Sequence, residues 1–281
     1  MVDARGAGDA MLRRTPQEAE MDVQDAPALD LSGLDFRTDA GIGTRGAVGL
    51  LVLETDQTIE HEFRAVWPRE GVALYTARLH NDVAITPETL RAMEPLIAPA
   101  TALLPPVPVG AIGFACTSGA LMIGEAVVAA HVRSVRPEAA TSDPVTAALA
   151  AMRALGARRI GLLTPYSRAI TLALREKLIA RGLAIPAVGS FEEEDDAVVA
   201  RITPESVMEA VLRLGAHEAV EAVFVSCTSL RVAAIVEAAE ARIGKPVTSS
   251  NHALAWHLLR LAGVEDAIPG FGRLYRTGLA G

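Results

Sequence analysis

The chain contains two cysteines, Cys116 and Cys227, and each opens the same tripeptide, Cys-Thr-Ser, at 116–118 and at 227–229. A thiol that can ionise is a nucleophile and a proton carrier at once. Two thiols on opposite walls of one cleft suit reaction at carbon. One takes a proton from one face of a carbon acid while the other delivers a proton to the opposite face. Alternatively, one adds to a carbon–carbon double bond and the other manages the proton. Neither route calls on a metal or an organic cofactor. A lone buried cysteine is often inert core, so what matters is where the chain places this pair.

Short apolar runs at 47–53, 72–77, 109–115, 159–164, 185–191 and 222–226 have the length and composition of buried strands. Between them lie amphipathic stretches with helix punctuation, at 59–66, 87–96, 144–155, 168–181, 204–214, 230–243 and 251–262, and one from the first Cys-Thr-Ser to about 132. Thr86-Pro87, Ser142 or Asp143 before Pro144, and Thr203-Pro204 read as caps followed by a proline at the first helical position. Strands alternating with helices predict an α/β fold built on parallel sheets.

The pattern also repeats. GAIGFACTS at 110–118 matches EAVFVSCTS at 221–229, and TSDPVTAALAAMRALG at 141–156 matches TSSNHALAWHLLRLAG at 248–263. So long a period is a domain duplication rather than a solenoid. It predicts two similar domains with four-stranded-type parallel sheets related by pseudo-twofold symmetry. If the helix after each Thr-Ser crosses to the other half, the first domain is 45–141 plus 250–281 and the second is 142–249. Residues 1–44 lack a sustained apolar period and read as a mobile tail without a signal-peptide core. Ligands of open α/β sheets bind beyond the carboxyl ends of the strands, which is where both Cys-Thr-Ser segments fall. The active site is therefore expected in the interdomain cleft. Thr117, Ser118, Thr228 and Ser229 stand there either to cap helices or to bind a substrate carboxylate.

Bulk properties narrow the function classes. The 281 residues are 51% apolar with a formal net charge of -8. The acidic balance and the absence of a Lys/Arg cluster argue against nucleic acid and anionic membranes as partners, and no apolar stretch approaches the ~20 residues of a spanning helix. Two cysteines in so long a chain make no disulfide framework, which points to a reducing, cytoplasmic setting. Apolar helix faces such as 120–132 leave room for a homodimer or larger homo-oligomer. His252 and His257, five apart, do not share a helical face as a zinc pair would; they read as helix surface or core.

One cysteine in each duplicated half resembles the aspartate/glutamate racemase superfamily. CTSLR at 227–231, TSSNHALAWHLLR at 248–260 and LTPY at 163–166 are similar to its maleate cis–trans isomerase and arylmalonate decarboxylase branch. LETDQTIEHEFR at 53–64 looks most like the ectoine-utilisation proteins of that branch. The resemblance implies cofactor-independent isomerisation of a small carboxylate, with Cys116 as the nucleophile, Cys227 as the proton donor and Tyr166 as a hydrogen bond to a substrate carboxylate. It also implies a role in ectoine catabolism. Racemisation of an amino acid by two-base proton transfer and non-catalytic binding remain alternatives, as does decarboxylation, although the decarboxylases keep only the second-half thiol and Cys116 counts against them. Two asparagines of the maleate isomerases fall here on Asp56 and, in the acidic loop 192–196, on Asp196. An ionised aspartate repels a carboxylate and accepts from an amine, so both changes favour a substrate bearing nitrogen, with Asp56 expected at the cleft.

Overall fold

The structure, a computed structural model, describes Leu29, residues 31–68 and residues 70–280. Much of the tail expected over 1–44 lies outside these. Of the segment up to Asp39, the described residues form neither helix nor strand. The sheets and helices all belong to the body from Ala40 onward.

Strands form where β-branched and aliphatic residues run together, and the most continuous runs are buried on both faces, as parallel sheets covered by helices require. The first sheet comprises β1 (Gly46–Leu53), β2 (Val72–Leu79), β3 (Ala111–Ala115) and β4 (Ala140–Ser142); the second comprises β5 (Arg159–Thr164), β6 (Ala184–Ser190), β7 (Ala222–Val225) and β8 (Val247–Ser249). Their orders are β2-β1-β3-β4 and β6-β5-β7-β8, with every pair parallel. One topology thus occurs twice, giving the α/β fold with two similar four-stranded sheets that the internal repeat predicts. In each sheet the strand order reverses between the first and third strands of the half. That reversal opens a crevice at the carboxyl ends of β1 and β3, and again at those of β5 and β7.

The connecting helices are α1 (Ile59–Val66), α2 (Pro87–Arg91), α3 (Ile97–Ala102), α4 (Thr117–Ile123), α5 (Glu125–Val135), α6 (Pro144–Ala154), α7 (Arg168–Ala180), α8 (Asp196–Val199), α9 (Pro204–Gly215), α10 (Val236–Ile243) and α11 (Ser250–Leu261). Thr86, Asp143 and Thr203 each cap a helix whose first residue is proline. Three expected helices come out differently. The one predicted over 87–96 ends at Arg91, and Pro95, which has no N–H, lies in a separate 3-10 turn, Glu94–Leu96. The one after Cys116 breaks at Gly124, whose φ of 98° is closed to most side chains. The one expected from Leu230 begins only at Val236. Strands β4 and β8, three residues each, are too short to leave a readable period.

Helix α11 follows the second sheet in sequence yet packs on the first. Its Leu254, Trp256, Leu258 and Leu259 share one apolar cluster with Val48, Leu50 and Val52 of β1. Helix α6, which follows the first sheet, lies against β8 and against α11. His252 and His257 are buried in this layer. His252 pairs with Thr248 Oγ1 at 2.9 Å and the Phe271 carbonyl at 2.9 Å, and His257 with Ser142 Oγ at 2.8 Å. Burial lowers both to about 4, so they sit in the core as neutral imidazoles.

Glu62 of α1 fastens the first half to the second. Its buried Oε2 accepts the Val232 N–H at 2.9 Å and the Ala233 N–H at 2.8 Å. Those two donors precede α10 and have no turn of helix to satisfy them. Burial pushes the carboxyl above its usual range, and the two N–H groups pull it back. Glu62→Ala strands both donors in an apolar setting and is expected to cost about 2–4 kcal/mol of stability. Glu62→Gln keeps an acceptor and is expected to cost much less. Urea unfolding of the two variants is the measurement.

Candidate active site

Both crevices open into one cavity. Cys116 follows β3 and caps α4: its Sγ accepts the Gly119 N–H at 3.2 Å, and Ser118 Oγ lies 3.7 Å from the sulfur. The residue at 119 has to be small. A Cβ there would stand 3.0 Å from the Cys116 sulfur and 2.7 Å from the Met93 methyl. Cys227 follows β7 but caps no helix, contrary to the expectation that each Cys-Thr-Ser runs straight into one. Its φ is 132°, a conformation costing an ordinary L-residue of order 1–3 kcal/mol. The chain turns there, the Ser229 N–H points back to Cys227 Sγ at 3.4 Å, and farther on Glu62 takes the N–H groups of Val232 and Ala233.

A hydrogen-bond relay ties the two strand ends together. The Cys227 N–H donates to Ser250 Oγ at 3.0 Å, and Ser250 Oγ pairs with Thr117 Oγ1 at 2.8 Å. Asn251 Nδ2 donates to the Thr228 carbonyl at 2.7 Å. From the other half, Thr58 Oγ1 donates to the Ser229 carbonyl at 3.0 Å. The strained turn at Cys227 is therefore held by three hydrogen bonds, two from the start of α11 and one from Thr58.

Cys116, Thr117, Ser118, Tyr166, Asp196, Cys227, Thr228 and Ser229 all line this cavity. The sequence singled out each of them, and the fold brings them together from both sheets. Tyr166, 2% exposed, follows β5, and its hydroxyl accepts from Ser226 Oγ at 3.5 Å. Burial and the neighbouring Cys227 push its pKa well above the usual phenol value. Asp196 opens α8. Its Oδ1 accepts from Ser229 Oγ at 2.6 Å and its Oδ2 from Thr55 Oγ1 at 3.0 Å, so this carboxylate joins the ends of β1 and β7.

Asp56 stands apart from that lining. Its Oδ1 is used on the Thr58 and Ile59 N–H groups, at 2.7 and 2.8 Å, at the entry to α1. Its buried Oδ2 makes no hydrogen bond among the described residues, and the side chain of Thr228, which does line the cavity, adjoins it. Burial raises the Asp56 carboxyl to about 6. It acts one layer behind the surface that a ligand would touch.

No sequence motif marks the outer wall. Asn81, Ile85, Leu90 and Met93, from the stretch after β2, close the cavity, and an antiparallel bridge between Ala84 and Asp195 joins this wall to the second half. The signal was present in the topology: β2 neighbours β1, so the segment after β2 borders the same crevice.

Both thiols are buried, and burial raises both pKa values. Cys116 is pushed up to about 11, with the Gly119 N–H and Ser118 opposing and the charges of Asp196 and Asp56 adding. Cys227 is pushed higher, by burial and then by Asp196, with the Ser229 N–H and Tyr166 opposing. At neutral pH the resting pair is two neutral thiols, each with donors placed to receive a thiolate. Among the described residues no group of three or more His, Cys, Asp or Glu is placed to hold a metal, and no helix is long and apolar enough to cross a membrane.

Residues 85–275, which carry both cysteines, match the arylmalonate decarboxylase family. The chain belongs to that family. Its relatives include a maleate isomerase of Nocardia farcinica, 30% identical over 242 residues that cover 82% of this chain and 95% of the relative. Among solved structures, a cysteine-to-serine mutant of the Nocardia farcinica maleate cis–trans isomerase with a covalently bound succinylcysteine intermediate superposes with a TM-score of 0.76. It is 28% identical, over 82% of this chain and 98% of that one. The Pseudomonas putida maleate isomerase with maleate has the same fold, at a TM-score of 0.77 and 22% identity over 83% of this chain and 98% of that one. This member of the arylmalonate decarboxylase family thus carries a thiol at the end of the third strand of each half.

Proposed function

We propose that this chain is a cofactor-independent isomerase of a small carboxylate, in which Cys116 adds to a carbon–carbon double bond and Cys227 moves the proton. The observation that carries this is the meeting of both thiols, from symmetry-matched strand ends, in one buried cavity. The likeness to maleate isomerases, one of them caught as a succinylcysteine, supports the same chemistry.

Reaction starts from Cys116 thiolate and Cys227 thiol, the Cys116 proton having passed to bulk water. The thiolate forms a C–S bond at one alkene carbon, and the π pair moves to the other carbon, next to a carboxylate that delocalises it. Cys227 S–H protonates that carbon and becomes the thiolate, leaving a saturated adduct that rotates about its central bond. Cys227 then removes a proton, the pair reforms the double bond, and Cys116 leaves as thiolate in its starting state. The Gly119 N–H and the Ser229 N–H each aim at a sulfur that carries charge in one half of the cycle. Tyr166 and Ser118, both in the cavity lining, would bind the carboxylate. For a pathway, the likeness of 53–64 to ectoine-utilisation proteins supports the breakdown of a nitrogen-containing solute.

The test is incubation with maleate, and separately with D- and L-aspartate, in deuterated water, followed by proton NMR. Conversion of maleate to fumarate is expected. Exchange at the aspartate α-carbon without alkene isomerisation would replace the proposal with racemisation. A thermal shift with no turnover of any of them would make the protein a binder.

A further inference from the structure

The walls of the cavity carry an unbalanced charge. Asp196 and Asp82 line it, Asp56 lies next to Thr228, and among the described residues no Lys, Arg or His lines it. Two basic side chains of segments next to the lining make hydrogen bonds of their own. Arg78 gives Nη1 to the carbonyls of Leu53, Glu54 and Asp56 and Nη2 to Glu60, and Arg231 donates to the Ile202 carbonyl. Asp82 is on the exposed rim and holds the Ala84 N–H. Asp196 is the inner carboxylate. Ser229 and Thr55 occupy only two of its four or so lone-pair positions, and Asp196 lines the same cavity as Cys227.

A dicarboxylate would bring two negative charges against this wall with no cation among the described lining residues to offset them. We infer that Asp196 is a specificity-determining residue and that the substrate carries one carboxylate and one protonated nitrogen, the nitrogen resting on Asp196. This rests on the proposal that the cavity is the active site. It reassigns the selective role from Asp56, which lies a layer deeper with one oxygen committed to the entry of α1. A bound ammonium would also cancel the negative field that opposes ionisation of both thiols, so the correct substrate would help to generate its own nucleophile. Maleate would bind without that help.

The probe is (Z)-4-aminobut-2-enoate, which keeps the cis alkene and one carboxylate of maleate and replaces the other carboxylate with an aminomethyl group. Affinities of the full chain for this zwitterion and for maleate are measured by isothermal titration, and isomerisation of each by NMR, in wild type, Asp196→Asn and Asp82→Asn. Wild type is expected to bind the zwitterion at least tenfold more tightly than maleate. Asp196→Asn is expected to lower that ratio at least tenfold, by weakening the zwitterion and strengthening maleate, while Asp82→Asn changes it less than threefold. A wild-type preference for maleate, or a ratio unmoved by Asp196→Asn, overturns the inference while leaving two-thiol isomerisation intact. Tight, Asp196-dependent binding of the zwitterion with no isomerisation of either probe sustains the inference and removes the proposed reaction instead.

Discussion

Cys116→Ser and Cys227→Ser are each expected to lower isomerisation by about 10³-fold or more, yet to stall at different points. A serine hydroxyl in place of Cys116 ionises far less readily than a thiol, so no C–S bond forms and the protein keeps its mass after incubation with maleate. With Cys227 replaced, Cys116 still adds. The carbanion takes its proton from solvent, and the saturated adduct then lacks the base that would reverse the step. Intact-mass spectrometry of Cys227→Ser should therefore find one substrate molecule attached, mapped to Cys116 by digestion, whereas Cys116→Ser carries none. The converse pattern would exchange the two roles. Near-wild-type turnover in either variant would end the paired-thiol mechanism. Misfolding is a weak alternative explanation, because serine is close in size to cysteine and each sulfur accepts only one backbone N–H that an oxygen also accepts.

How much of this was legible in the sequence depended on whether a feature is local. Strands and helices with a cap, a proline or an uninterrupted apolar run were visible: β5 and α1 occupy the expected 159–164 and 59–66. The duplication gave the paired sheets, because a repeated sequence that folds must bury the same faces twice. The turn at Cys227 was hidden. CTSL reads as a helix start at 227–230, as CTSG does at 116–119, and what prevents it comes from elsewhere in the chain: Glu62 taking the N–H groups of Val232 and Ala233, and Ser250 and Asn251 holding Cys227 and Thr228. The outer wall at 81–93 was equally hidden, since its residues have no special chemistry and gain importance only from lying beside β1. Asp56 and Asp196 show the same limit. Both are aspartates near strand ends, and only the folded arrangement separates the one that lines the cavity from the one behind it.

The rate is expected to climb with pH far beyond the range of an ordinary cysteine enzyme. With Cys116 raised to about 11, roughly one molecule in 10⁴ carries the thiolate at pH 7. The free-enzyme pKa governs kcat/KM, so log kcat/KM should rise with a slope near one from about pH 7 to pH 10 and show no plateau there. Iodoacetamide labelling of Cys116 should follow the same line. A plateau below pH 9 would mean that the thiol is already ionised and that burial is outweighed by the Gly119 and Ser118 donors. Stability must move the opposite way. The folded-state pKa of Cys116 lies above its unfolded value near 9, so its contribution is whole below pH 9 and is lost as pH rises through 11. Wild type is expected to lose roughly 2 kcal/mol over that interval that Cys116→Ser, with no group to titrate, retains. Measuring unfolding of both proteins in urea at pH 8 and pH 10.5 isolates the difference from every other titrating group. The two results are linked, because a cavity that holds its nucleophile neutral makes ionisation cost stability, and a substrate that brings positive charge to Asp196 relieves part of that cost only while it is bound.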